Sequence, residues 1–281
     1  MAPVGIMPWR IRRLSNHQDQ LLDSGVVIEE PLEIRLNGQP VAVLMRTPGL
    51  EKELAVGFCL GEGLVADPKD IALVRHCGQV AAGDVSGKSN EGDSLDGSRN
   101  RVDVTLVSGA AAKLEPGTAV QWILSGCGRT QVRDLAPDLS PVDAKLIVSA
   151  ETLSHLPGQM TRQQAAYRAA GGIHAAAVFD ASGRAIIVCE DIGRHNAVDK
   201  AVGYCLLHGL PLRDKLLVST GRASYDMVAK GVRLGVPIIA SISSPTSLAI
   251  ELAEALNCTL VGYLRGKTLS VYTHSWRILI S

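Results

Sequence analysis

From Gly171 onward the apolar residues recur with two alternating periods, and that alternation leaves the chain few folds to choose from. Strand-like runs at His174–Phe179 and Ala185–Cys189 flank Ala181-Ser182-Gly183-Arg184, the signature of a hairpin. A helical run follows, with Ala197, Val198, Ala201, Val202, Cys205 and Leu206 at the 3.6-residue spacing. Strand, helix, strand and helix then continue to two closing strands, Thr259–Tyr263 and Leu269–Thr273. Strands separated by helices demand crossover connections, which place helices on both faces of one sheet. The expected class is therefore α/β: a C-terminal three-layer domain with a mixed sheet, plus a smaller α+β N-terminal domain.

The N-terminal half reads differently. Residues 1–24 are expected to form a flexible arm, 25–139 a β-rich domain, and 140–281 the α/β domain. Leu32, Ile34 and Leu36 alternate before Asn37-Gly38, and Val41, Val43 and Met45 alternate after it, a hairpin whose loop Gln39-Pro40 is expected to lengthen. A helix is expected over 50–63, strands over 71–76 and 101–107, and a solvated loop over 82–100, which is dense in Gly, Ser, Asp and Asn. The stretch 142–170 is expected to be helical, broken at Pro157-Gly158.

Four strand ends carry chemistry. Lys215–Val218 leads into Ser219-Thr220-Gly221-Arg222-Ala223-Ser224, Ala185–Cys189 into Glu190-Asp191-Ile192-Gly193-Arg194-His195-Asn196, and Val236–Ala240 into Ser241-Ile242-Ser243-Ser244-Pro245-Thr246. Leu264-Arg265-Gly266-Lys267-Thr268 separates the last two strands. Hydroxyls, guanidinium groups and helix starts at the carboxyl ends of strands suit an anion, such as a diphosphate or nucleotide. None of the four is a Walker A loop or a G-x-G-x-x-G fingerprint. The first has a plain alternative, Ser224 capping a helix with Arg222 solvated; in the third, Ser244 suits an N-cap and Pro245 the first helical position.

Lys and Arg number 28 and Asp and Glu also 28, so the net charge is zero and no nucleic-acid or membrane surface is indicated. No apolar run reaches the ~20 residues of a membrane span, and no apolar stretch follows Arg10, Arg12 and Arg13, so the cytoplasm is the expected location. Six cysteines show no C-x-x-C pair and no zinc-type spacing, and no metal ligands are assigned. Cys59, Cys189 and Cys205 fall among periodic apolar residues and read as core. Cys127, in Ser125-Gly126-Cys127-Gly128-Arg129, is flanked by glycines and followed by a cation that favours the thiolate. An unremarkable Gly-rich turn is the plain alternative there.

These segments together resemble the FdhD family. The blocks carrying the resemblance are Glu30-Pro31-Leu32-Glu33-Ile34 with Asn37-Gly38, Leu54–Gly63, Ser125-Gly126-Cys127-Gly128, Gly172–Ala177, Glu190–Lys200, Gly221–Val228 and Val271-Tyr272-Thr273-His274. The resemblance implies a homodimer whose C-terminal domain has a cytidine-deaminase-like fold. It implies a sulfur carrier required by formate dehydrogenase, which takes sulfur from a cysteine desulfurase and passes it to the bis(molybdopterin guanine dinucleotide) cofactor of molybdenum or tungsten. The persulfide carrier would be Cys127, and the cofactor-binding segment would fall on Tyr263, Leu264, Arg265, Gly266, Lys267 and Thr268. Arg222, Arg194 and His195 are further candidate contacts, and His174 is either a contact or a core histidine. Many members carry a C-x-x-C at the active loop, whereas this chain has Cys127 alone, with Leu124 or Thr130 in the partner's place. Thr268 and Ser275 stand where relatives often have Arg and Pro. A non-catalytic cofactor-binding chaperone is the alternative reading. A zinc deaminase is excluded because His174-Ala175-Ala176 lacks the H-x-E glutamate and no P-C-x-x-C follows.

Overall fold

The computed structural model describes residues 3–15, 18–77, 100–110 and 138–280. The fold rests on a six-stranded sheet. Its members are β8 (His174–Phe179), β9 (Ala185–Asp191), β10 (Leu216–Ser219), β11 (Ile238–Ser241), β12 (Thr259–Arg265) and β13 (Thr268–Val271), in the spatial order β13-β12-β11-β10-β8-β9. Strands β10, β11 and β12 run parallel, and the remaining pairs are antiparallel. The crossover helices α4 (Arg194–Leu207), α5 (Tyr225–Arg233) and α6 (Ser247–Ala255) share one core with one face of this sheet. Helix α2 (Ala150–Gln163) covers the opposite face through Leu153, Leu156 and Met160. These are the three layers of a mixed α/β fold.

A second sheet precedes it. Strands β3 (Glu30–Leu36), β4 (Gln39–Arg46), β5 (Ile71–Cys77) and β6 (Arg101–Leu106) lie in the order β4-β3-β6-β5, and helix α1 (Glu51–Gly61) buries Leu54, Ala55, Cys59 and Leu60 against it. Asn37 and Gly38 both have positive φ, 50° and 79°, as the two-residue hairpin turn requires. The turn is therefore not lengthened. The extra residue before Ala42 is taken up as a bulge beside Arg35.

Three other expectations give way. The N-terminal segment pairs as a ribbon, β1 (Ile6–Ser15) with β2 (Gln18–Val27), cross-braced by Arg10–Asp23 and Arg12–Asp19 and anchored at its base by Ile6 against Ala166 and Ile173. Helix α2 runs through Pro157 to Gln163, with Gln164 as its C-terminal cap. Its buried stripe at Leu153, Leu156 and Met160 outweighs the one backbone hydrogen bond that proline removes. Helix α6 starts two residues late, with Thr246 rather than Ser244 as its cap, because Ser244 and Thr246 are occupied by backbone bonds to Ala223. A short pair, β7 (Val148–Ser149) with β14 (Ile278–Leu279), and helix α3 (Ala165–Ala170) complete the described residues.

The two sheets are joined where α1 crosses α4. A Cβ on Gly57 would lie 1.9 Å from the carbonyl oxygen of Asp199, and one on Gly203 would lie 1.9 Å from that of Glu53. The two backbones therefore touch, and only glycine fits at either position. Buried charges brace the crossing. Lys230 contacts both Asp199 and Glu62 at 2.8 Å, and Lys200 contacts Asp191 at 2.7 Å and donates to the Thr47 carbonyl at 2.8 Å.

Gly203→Ala should cost about 1–3 kcal/mol of stability by overpacking and lower the melting temperature by several degrees. Gly158→Ala, on the exposed face of α2 with only Arg162 near its Cβ, should be neutral or slightly stabilising. Calorimetry of both variants checks this, and equal shifts would contradict the close crossing.

Candidate functional site

Topology places four corners along one edge of the six-stranded sheet. Because β10, β11 and β12 are parallel, their carboxyl ends lie side by side, with Ser219 opposite Ser241 and Ala240 opposite Val261. Strand β8 is antiparallel to β10, so its first residue, His174, lies near Thr220, and β9 returns to place Asp191 opposite His174. From β9 to β12 the edge spans four strand spacings, roughly 19 Å. It is the carboxyl edge of the sheet, where open α/β folds bind ligands.

The corners are tied to one another through their backbones. Ala223 donates to the Ser244 carbonyl at 3.2 Å, Thr246 to the Ala223 carbonyl at 3.0 Å, and Tyr263 to the Ser243 carbonyl at 2.9 Å. Ser241 Oγ donates to the Gly221 carbonyl at 2.6 Å, and Ser219 Oγ accepts from the Gly221 amide at 3.1 Å. These two buried hydroxyls are spent on holding the edge. The Ser224 hydroxyl is not: it makes no capping bond and lies 3.5 Å from His195 Nε2.

Of the side chains singled out from the sequence, Arg194, Arg222 and His195 lie at this edge, whereas Gly266, Lys267 and Thr268 line a groove against α2 with Glu151, Ser154 and His155. Arg194 begins α4 and lays its stem on Gly221, where a Cβ would come within 2.7 Å of it. Its Nε is buried with no hydrogen-bond partner among the described residues. A buried guanidinium nitrogen without an acceptor is costly, and an anionic ligand oxygen would relieve that cost. Arg222 is exposed beside it, and Arg265 and Lys267 are exposed at the β12–β13 corner with Gly266 and Thr268. Arg265 Nε donates to the Ile242 carbonyl at 2.8 Å, so its side chain reaches back over the end of β11. Leu264 alone turns inward, fully buried in the core under α2, which leaves only its backbone at the corner. Cys127 lies outside the described residues.

Both histidines of the edge are held neutral. Burial, reinforced by Arg194 and Lys230, pushes His195 down to about 4, and burial with Arg194 also lowers His174. Neutral imidazoles beside Arg194 leave the charge of this corner to the guanidinium. Thr220 Oγ1 accepts from the Ala175 amide at 2.9 Å and lies 3.4 Å from His174 Nδ1, which fixes that ring at the sheet edge.

Sequence reading missed the supports beneath this edge. Asp191 is fully buried, accepts from Asn196 Nδ2 at 3.0 Å and pairs with Lys200, while Asn196 also donates to the Met45 carbonyl at 2.7 Å. The end of β4 is thereby pinned to the β9–α4 corner. Burial pushes the Asp199 carboxyl up to about 6 against the pull of Lys230. Burial also works to discharge Lys230, but Asp199 and Glu62 outweigh it and its pKa is raised. The available signal was Asp199-Lys200 in the middle of an otherwise apolar helix. Among the described residues no cluster of His, Cys, Asp or Glu could hold a metal ion, and no helix is long and apolar enough to cross a membrane.

A model of the FdhD/NarQ family matches residues 27–279. The sulfur carrier protein FdhD of Mycobacterium tuberculosis is 40% identical over 279 residues, covering 96% of this chain and 97% of its own. The proteins of that name from Streptomyces coelicolor and Thermoplasma acidophilum are 38% and 36% identical, covering 91% and 90% of this chain and 89% and 86% of their own. A crystal structure from Desulfotalea psychrophila, named for a formate dehydrogenase accessory protein, has a TM-score of 0.78 at 25% identity, covering 99% of this chain and all of that one.

The depressed His195 pKa has a definite linkage sign. Between its ordinary value of 6.5 and about 4, the unfolded chain takes up a proton that the native ring refuses, so stability is lost as pH falls through that window. The His195 ring should show an NMR titration midpoint near 4, and His195→Asn should lose less stability than the parent chain between those pH values. A midpoint at the ordinary histidine value would contradict the burial.

Proposed function

The chain belongs to the FdhD/NarQ family, and from that premise we propose that it is a sulfur carrier serving formate dehydrogenase. Cys127 takes the terminal sulfur from the persulfide of a cysteine desulfurase: its thiolate attacks that sulfur, a new S–S bond forms, and the desulfurase thiolate leaves. The outer sulfur then passes to a reduced bis(molybdopterin guanine dinucleotide) cofactor, bound as substrate along the strand-end edge: the S–S bond breaks, the cofactor would supply the two electrons that turn the sulfur into a sulfido ligand, and Cys127 leaves as the thiolate, ready for another round. Arg194, Arg222, Arg265 and Lys267 hold the phosphates of that substrate. His195, neutral at physiological pH, offers one ring nitrogen as donor or acceptor. Tyr263, Gly266, Thr268 and the Leu264 backbone complete the corner. The carrier works as a cytoplasmic homodimer, with 25–139 presenting the Cys127 loop and 140–281 binding the substrate.

The observation that carries this reading is the partnerless buried Nε of Arg194 at the β9–α4 end of an edge that also carries Arg222 and Arg265 and is long enough for a dinucleotide. Cysteine burial supports it further. Burial pushes the thiols of Cys59, Cys189 and Cys258 up to about 12 and that of Cys205 up to about 11, so these four cannot act as nucleophiles near neutral pH.

After incubation with a cysteine desulfurase and free cysteine without reductant, the Cys127 peptide should gain the mass of one sulfur atom and the four buried cysteines should gain none. Cys127→Ala should fail to activate formate dehydrogenase while keeping its affinity for the cofactor. A Cys127→Ala protein that still activates the dehydrogenase would make this chain a cofactor chaperone instead.

A further inference from the structure

Helix α5 leaves the strand-end edge at Tyr225 and finishes against the carboxyl end of α1. Its last turn carries two cations three residues apart, Lys230 and Arg233, which therefore share one face. Helix α1 has no basic residue in its own last turn, and both cations of α5 reach that end. Lys230 meets Glu62 at 2.8 Å, and Arg233 Nε donates to the Gly61 carbonyl at 3.1 Å. A cation is favourable there because the unbonded carbonyls of a helix end carry negative partial charge. Gly63, with φ of 74°, leaves room for the guanidinium: a Cβ on it would lie 2.6 Å from Arg233 Nη1.

Arg233 also holds a third part of the chain. Its Nη1 and Nη2 both donate to the Asp138 carboxylate, the second at 3.4 Å, so the guanidinium fork closes on one acid. Asp138 is the first described residue after Cys127. The chain beyond it is fixed: Leu139 packs against the core shared by α4, α5 and α6, and Val142 is buried in that core. The Val142 amide donates to the Leu256 carbonyl at 2.9 Å, and Asn257 Nδ2 donates to the Val142 carbonyl at 2.8 Å. One guanidinium thus ties together the end of α1, the end of α5 and the chain that leads on from Cys127. The Arg233–Asp138 pair is partly open to solvent, at 20% and 36% side-chain exposure, and a pair so exposed adds little to stability.

We propose that Arg233 is a positioning residue for sulfur loading: it pins Asp138 to the α1–α5 junction, so that the thiol of Cys127 is presented to the desulfurase from a fixed point. The proposal rests on the carrier reading above and adds a residue to it. Arg233 touches neither the sulfur nor the substrate and acts through Asp138. Group transfer within a complex gains from a reacting group that starts near its working position. Loss of the fork lengthens the free tether toward Val142, and a longer tether meets a given point less often. The geometry suits this role better than it suits plain stabilisation, because the buried partners of the junction are Lys230, Asp199 and Glu62, whereas Arg233 spends its fork on the more exposed Asp138.

Single-turnover loading by a saturating cysteine desulfurase, read as one sulfur atom gained by the Cys127 peptide, tests this beside alkylation of Cys127 by iodoacetamide. Arg233→Ala should slow loading about fivefold, the upper range for a partly exposed pair, and leave alkylation unchanged. Asp138→Ala, at an exposed acid whose loss leaves the fold intact, should slow loading equally, and the double variant should be no slower than either single one. Arg233→Lys should recover only part of the rate, since an ammonium cannot close the fork. Unchanged loading in Asp138→Ala, single effects that multiply in the double variant, or equal slowing of alkylation would overturn the proposal while leaving the carrier reading standing. An unaltered protein whose Cys127 gains no sulfur would overturn the carrier reading, and the role of Arg233 with it.

Discussion

Everything at the strand-end edge depends on the crossing of α1 over α4. Gly57 and Gly203 let the two helices meet backbone to backbone, and α1 is buried on its other side against the four-stranded sheet. The crossing brings Glu62 and Phe58 within reach of Lys230 and sets the end of β4 over Asp191, Asn196 and Lys200. One sheet thus closes over a corner of the other. Packing alone could not fix that geometry, because apolar surfaces slide. The buried ion pairs resist sliding: removing one partner strands the other, which costs about 3–5 kcal/mol.

The same closure sets the electrostatics. Burial keeps His195 neutral, and Arg194 and then Lys230 add to that effect. Lys230 is itself neutralised by Asp199 and Glu62, and Lys200 by Asp191. Among the described residues, Arg194, Arg222 and Arg265 are the cations left at the edge for a ligand, with Lys267 beside α2. A chain with no net charge can therefore still present a locally positive row, because its acids are placed underneath.

Much of the α/β fold was legible in the sequence, because a switch between period two and period 3.6 is a strong signal when repeated. The asparagine–glycine turn and the strand-end corners were legible for the same reason: their residue types have few other uses. What failed were the places where a tertiary contact outbid a local preference. Pro157 reads as a break, yet Leu153, Leu156 and Met160 hold α2 together across it. Ser244-Pro245 reads as a helix start, yet the bonds to Ala223 claim those residues first. The N-terminal ribbon was missed because charged residues interrupt its apolar pairs, such as Ile6–Val27 and Ile11–Leu22, and its apolar anchors lie far off in the sequence, at Ala166 of α3 and at Ile173. Leu264 illustrates the limit for the site: a motif names a segment, but only the pleat of β12 decides which of its side chains turn inward.

The central claim is that sulfur leaves Cys127 for a substrate held on this edge. It is tested most directly by a single-turnover transfer from protein carrying radiolabelled sulfane sulfur on Cys127 to added cofactor, without reductant. The account predicts that the label moves from the Cys127 peptide to the cofactor, and that Arg194→Ala slows this transfer at limiting cofactor without slowing the loading of Cys127. Label that stays on the protein, or that is released only as free sulfide whether or not cofactor is present, would contradict it.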